Sequence, residues 1–201
     1  MLKINFNIPL SFILLNNVVP LVGLLFFGWT VFDMVFFFWV DITLIYLFSV
    51  VKVLVSKKLE KLPFKYNEVG NKYLNSQFQV KIFSIINIFI WYAVYGGVFL
   101  LVIYKTTGLA FPSNLLIIVL SSFITHVVSF LVNCIGKKEY LSISPWEQVS
   151  KTLFRTIPSI LLIIIASQFG KYGMLLMILA IKTVTDYYTH QKEHNLNSAS
   201  Y

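Results

Sequence analysis

Hydrophobic residues run through this chain in long blocks broken by short polar segments. Blocks of 18 or more apolar residues span bilayers, because about 20 helical residues at about 1.5 Å each cross the hydrocarbon layer. The pattern predicts six transmembrane helices, at 9–28, 30–54, 81–104, 114–135, 149–169 and 172–192, forming one all-α domain over 1–201. Gly28-Trp29-Thr30 makes the first two a tight hairpin, and Pro112-Ser113-Asn114 turns the chain into the fourth. Ser144-Pro145-Trp146-Glu147 is a capping box with proline at the first helical position, a start signal for the fifth. Gly170 to Gly173 separates the fifth from the sixth.

Composition agrees with that pattern. The chain is 58% hydrophobic and 12% charged, where soluble domains carry about 25% charge. No polar stretch is long enough to bury a separate water-soluble core. The opening "MLKINFNIPLSFILLNN" begins like a signal peptide but has no small-residue cleavage site, so we expect a retained first helix. The single cysteine, Cys134, sits in an apolar run and forms no intramolecular disulfide.

Charge sets the expected orientation. With the N-terminus inside, 14 of the 16 Lys and Arg residues fall on inner loops and helix ends, leaving only Lys105 and Lys171 outside. The positive-inside rule then predicts cytoplasmic termini and a basic cytoplasmic loop over 56–80. The net charge of +8 comes largely from this asymmetry. Its expected partner is the anionic headgroup layer of the inner leaflet, with other membrane subunits as further candidates; nucleic acid is excluded. The aromatic run "FDMVFFFWV" is expected to face lipid, or else a protein neighbour.

Polar residues inside spans are few, so their spacing is informative. Ser122, His126, Ser129 and Asn133 share one face of the fourth helix. Asp33, Asp41 and Ser49 share one face of the second, and Ser84, Asn87, Trp91 and Tyr95 are offered by the third. The bland reading of Ser and Asn is hydrogen bonding between helices, worth about 1 kcal/mol each. Asp41 and His126 lie deeper, where an unpaired charge costs about 3 kcal/mol or more. Helical rise puts Asp41 about 16 Å above Lys52, and His126 about 15 Å above Gly136, so both should sit near mid-bilayer and meet there. Such a pair exists either charged or as a neutral hydrogen-bonded couple, and the neutral form suits the low dielectric better. Asp186, His190 and His194 are spaced by four at the end of the last apolar run, a second tier near the cytoplasm. If that tier binds a divalent metal such as zinc, His190 is a ligand, joined by Asp186 or His194, since i,i+4 pairs meet on one face.

Two motifs suggest metal chemistry. "HQKEH" fits the H-x-x-E-H pattern of inverted zinc proteases, with Glu193 as base. Ser122 and His126, taken with His190 and His194, are weakly similar to the membrane hydrolases that include alkaline ceramidases and progestin/adiponectin-type receptors. That resemblance implies a zinc site of one serine, one aspartate and three histidines among seven helices. The six helices here, and the depth gap between His126 and His190, depart from it.

A broader resemblance covers nearly the whole chain. "NNVVPLVGLLFFGW", "FFFWVD", "THVVSFLVN", "GKKEY" and "IKTVTDYYTHQKEH" resemble an uncharacterised family of small multipass prokaryotic membrane proteins, classed as a domain of unknown function. The family pattern has Glu-Asn after the second-helix tryptophan, where this chain has Val40, Asp41 and Ile42 after Trp39; its fifth-helix histidine is replaced by Pro158-Ser159. The resemblance implies the helical architecture and points to His126, Asn133, Glu139, Asp186, His190 and His194, without an activity. Three functions remain in view. The favoured one is a non-enzymatic membrane subunit or accessory protein with a buried polar site, open to the cytoplasm, at Asp41, His126, Ser122 and Asn133. The others are a metal-dependent hydrolase using the C-terminal Asp/His cluster and a small proton-coupled transporter.

Overall fold

A computed structural model of the chain describes residues 8–58, 77–106, 114–166 and 183–184. Every regular element among them is helical: α1 (Ile8–Phe26), α2 (Val31–Val55), α3 (Gln77–Thr106), α4 (Leu115–Ser129), α5 (Glu139–Ser142) and α6 (Pro145–Ala166). Three stretches are long and apolar enough to cross a membrane, Phe32–Val55, Gln77–Leu101 and Leu115–Gly136. The expected sixth span lies outside the described residues, apart from the helical pair Thr183 and Val184.

The first hairpin depends on two glycines. Gly28 adopts a left-handed φ of 63°, a conformation that residues with a Cβ rarely take. Both Phe27 and Trp29 donate their backbone N–H to the Gly23 carbonyl, at 3.0 Å each. This folds the Trp29 ring back onto α1, where it covers Gly23 so closely that a Cβ there would overlap the indole. α2 then starts with a capping box: the Asp33 N–H donates to the Thr30 hydroxyl, and the Asp33 carboxylate accepts from the Thr30 N–H at 2.7 Å. Asp33 therefore serves the helix start, although its spacing puts it on a row with Asp41 and Ser49.

α2 is the central helix, packed against α3, α4 and α6, while α1 packs chiefly on α4. That position corrects the expectation for the aromatic run. Phe32, Phe37 and Phe38 are buried in a cluster with Trp29, Phe99 and Ile118, because a helix surrounded by three others has little face left for lipid. Trp39 stacks on Phe99 with ring centroids 5.1 Å apart. The exposed apolar face belongs instead to α3, whose Phe89, Ile90, Val94 and Leu101 are exposed.

Three boundaries shift. α3 begins at Gln77, taking the end of the expected basic loop into helix; residues 59–76 of that loop are outside the described set. α4 continues over Phe130–Gly136 in π geometry, with the Lys137 N–H reaching back five residues to the Val132 carbonyl. α6 begins at Pro145 as its start signal predicts, with the Ser144 hydroxyl accepting from the Glu147 N–H at 3.2 Å. The Glu147 carboxylate lies near Lys58 and Lys151, at 3.7 and 3.5 Å.

Candidate functional site

Asp41 is 1% exposed in the middle of α2. Its Oδ1 lies 2.9 Å from Nε2 of His126 on α4, and accepts a hydrogen bond from Nδ2 of Asn16 on α1, also at 2.9 Å. His126 is 5% exposed and stacks on Phe48, one face of the imidazole against an apolar ring. Three helices thus meet on one carboxylate oxygen. Equal depth pairs Asp41 with His126 in the sequence, and the structure puts them in contact. Asn16 was missed. Its signal was available: "NN" in the middle of a 19-residue apolar helix is a polar pair that needs partners.

The other two residues of the expected buried site behave differently. Ser122 lies one turn before His126 and is fully buried, yet its hydroxyl makes no hydrogen bond among the described residues. Asn133 is buried in the π turn, and its Nδ2 donates to the Ser129 hydroxyl at 3.4 Å. Neither bonds to the Asp41–His126 pair. The third-helix row also divides, since Ser84 and Tyr95 are buried whereas Trp91 is exposed. Asp186, His190 and His194 are outside the described residues; within those residues, no group of three His, Cys, Asp or Glu side chains is arranged to hold a metal.

A second polar seam, unread in the sequence, joins α2 to α6. Gln148, Thr152 and Thr156 recur every four residues on the buried face of α6. The Tyr46 hydroxyl lies 3.1 Å from that of Thr156, and the Ser49 hydroxyl 2.6 Å from that of Thr152. Gln148 donates to Ser49 at 3.4 Å, and Ser56 donates to the Ile143 carbonyl at 2.7 Å. Each Thr also bonds its own helix, Thr152 to the Gln148 carbonyl and Thr156 to the Thr152 carbonyl. The seam ends at a small, half-open cleft with enclosed room for about one water molecule, bordered by Lys52, Ser56, Cys134, Glu139, Tyr140 and Gln148.

Apolar helices of spanning length, tied by polar contacts buried in their interior, are compatible with a membrane protein. A family model extends that from class to kinship: the model described as "Family of unknown function (DUF6498)" matches residues 4–200, and the chain belongs to that family. Searches of curated proteins and of solved structures find no match.

Proposed function

We propose that the protein is a multi-pass cell-membrane protein with six spans and cytoplasmic termini, and that it acts as a non-enzymatic subunit or accessory protein. The observation that carries this reading is the Asp41–His126–Asn16 contact, a closed clasp drawing three helices onto one carboxylate. An ionisable group so deep is tolerated when its partners are close, and the clasp supplies two of them at 2.9 Å. Its geometry favours a structural or ion-holding role over hydrolysis. What counts against a serine nucleophile in particular is that the Ser122 hydroxyl, although one turn from His126, bonds nothing among the described residues. Anionic headgroups at the inner face fit the exposed Lys57, Lys137 and Lys138.

Topology is tested by reporter fusions after Asn195 and within 106–110, which should report opposite sides of the membrane; the same side for both would refute the span count. Metal analysis of the purified protein tests the competing hydrolase. Stoichiometric zinc that disappears on His190→Ala would favour hydrolysis at the Asp186, His190 and His194 tier, and its absence favours the accessory and transporter readings. A proton-coupled transporter draws on the same Asp41–His126 contact. Proton-driven solute uptake by reconstituted vesicles, abolished by Asp41→Asn, would replace the accessory reading with that one.

A further inference from the structure

Two oxygens beside the Asp41–His126 contact are buried and accept no hydrogen bond from any described residue. The first is the carbonyl oxygen of Asn16, a side chain 4% exposed. The amide nitrogen of Asn16 is held 2.9 Å from Asp41 Oδ1, so the oxygen of the same planar amide lies within about 5 Å of that atom. The second is the hydroxyl of Ser122, a residue with no exposed surface. Side chains on a helix lean toward its N-terminus, so the His126 imidazole lies over the turn that Ser122 occupies and ends against Asp41. Leaving a buried oxygen unmatched is costly, and here two of them, on α1 and α4, flank one carboxylate on α2. A carboxylate with neutral oxygens on either side is the ligand set of a small hard cation.

We propose that the clasp binds one sodium-sized monovalent cation through the Asp41 carboxylate, the Asn16 carbonyl oxygen and the Ser122 hydroxyl, in exchange for the proton that joins Asp41 to His126. At 2.9 Å the contact between Oδ1 and Nε2 has no gap for an ion, so cation and shared proton exclude each other. One proton leaves as one cation enters, and the net charge of the site is unchanged. His126 is then neutral and withdraws from Oδ1, the cation takes the place of its N–H, and Asn16 turns its amide so that oxygen faces inward. Charge selects the ion. A single carboxylate balances one positive charge, and a divalent cation would leave a net charge deep in the apolar stretch. The titratable groups around the clasp are few. α1 has none, α4 has only His126, α3 brings Tyr92 and Tyr95, α6 brings Arg155, and α2 itself adds Tyr46 one turn below. Tyr95 interacts electrostatically with Asp41. Of these side-chain types only imidazole ordinarily changes charge near neutral pH, which makes His126 the seat of the competing proton. The proposal deepens the ion-holding side of the clasp and rests on that reading.

The test is thermal unfolding of the purified full chain in detergent, in sodium, lithium, potassium or N-methylglucamine chloride at equal ionic strength, on either side of neutral pH. Sodium should raise the midpoint above that in the organic salt, because a ligand that binds only the folded chain stabilises it. The rise should be larger at the higher pH, where the proton competes less. Sodium affinity from calorimetric titration should fall by up to about tenfold per pH unit over the range in which the proton wins. Asp41→Asn should abolish the sodium shift. Ser122→Ala should weaken sodium binding about tenfold and leave the midpoint in the organic salt where it was, since that hydroxyl bonds no described group. It keeps the test open if Asp41→Asn fails to fold. A shift with lithium or potassium in place of sodium, lost on the same substitutions, supports the site and reassigns the ion by size. Equal midpoints in sodium and the organic salt at both pH values, or a sodium shift that Ser122→Ala leaves intact, overturn the proposal. The clasp itself stands in that event if Asp41→Leu still lowers the midpoint in the organic salt.

Discussion

Asp41 and Lys52 sit on the same helix, three turns apart, and the protein treats them in opposite ways. At Asp41 the surrounding helices close in: Asn16 and His126 both reach one carboxylate oxygen at 2.9 Å. At Lys52 they hold back, and the nearby Glu139 carboxylate is left without a partner among the described residues although it is nearly as buried. Deep in the apolar stretch an unmatched charge is expensive, so the chain satisfies it from within. At the helix end, where the cleft is open, water can serve as a partner, and internal matching is no longer imposed. Burial alone does not distinguish Asp41 from Glu139; the presence or absence of a partner among the described residues does.

That contrast is broken or sharpened by substitution. Asp41→Leu should cost the most, about 3–5 kcal/mol, because His126 and Asn16 both lose the acceptor they were built around. Unfolding of the detergent-solubilised protein by denaturant measures it. Asp41→Asn combined with His126→Gln should recover part of the loss, since a neutral amide pair can still bond; a double variant no better than its worse single variant would mean the two do not act as a couple. Gly23→Ala should cost about 1–3 kcal/mol by forcing the Trp29 ring off α1. Because α1 carries Asn16, a thermal midpoint lowered as much in an Asn16→Leu background would show that the turn and the clasp are independent.

Thr152→Val removes one rung of the α2–α6 seam and should cost about 1 kcal/mol, with coupling to Ser49→Ala in a double-mutant cycle. The smallest effect is expected at Glu139. Glu139→Gln should leave stability within about 0.5 kcal/mol of the parent, or raise it, because it removes a buried charge that no described protein group compensates. A loss comparable to that of Asp41→Leu would mean the carboxylate has a structural partner after all.

Some of this is legible in the chain alone. Counting helical rise from charged helix ends is enough to bring Asp41 and His126 to one level, because in an apolar helix depth is nearly a linear function of residue number. The start of α6 is readable from Ser144 and Pro145. Asn16 gives only a partial signal for a physical reason: a polar pair in an apolar span asks for partners, but an uncharged amide does not demand them as strongly as a carboxylate does, and nothing in its spacing names Asp41. The seam through Gln148, Thr152 and Thr156 escapes because threonine bonds its own helix as readily as a neighbour, as both do here. Nor does spacing reveal which helix is surrounded, so the phenylalanines of α2 read as lipid-facing when they form the core.

The π segment Phe130–Gly136 has a consequence for how this chain tolerates insertion and deletion. A π turn arises when one residue too many is absorbed without breaking the helix, and each residue it absorbs rotates the downstream helix by about 100°. Here that phase offset decides the direction in which the helix delivers Cys134 and, beyond the left-handed Lys138, Glu139. Shortening Phe130–Gly136 by one residue would let the segment relax into ordinary helix and would swing Cys134 and Glu139 away from α2. Asp41 and His126, upstream of the offset, would keep their geometry. A single-codon deletion in this stretch is therefore a natural way to detach the chain's two polar sites from each other genetically.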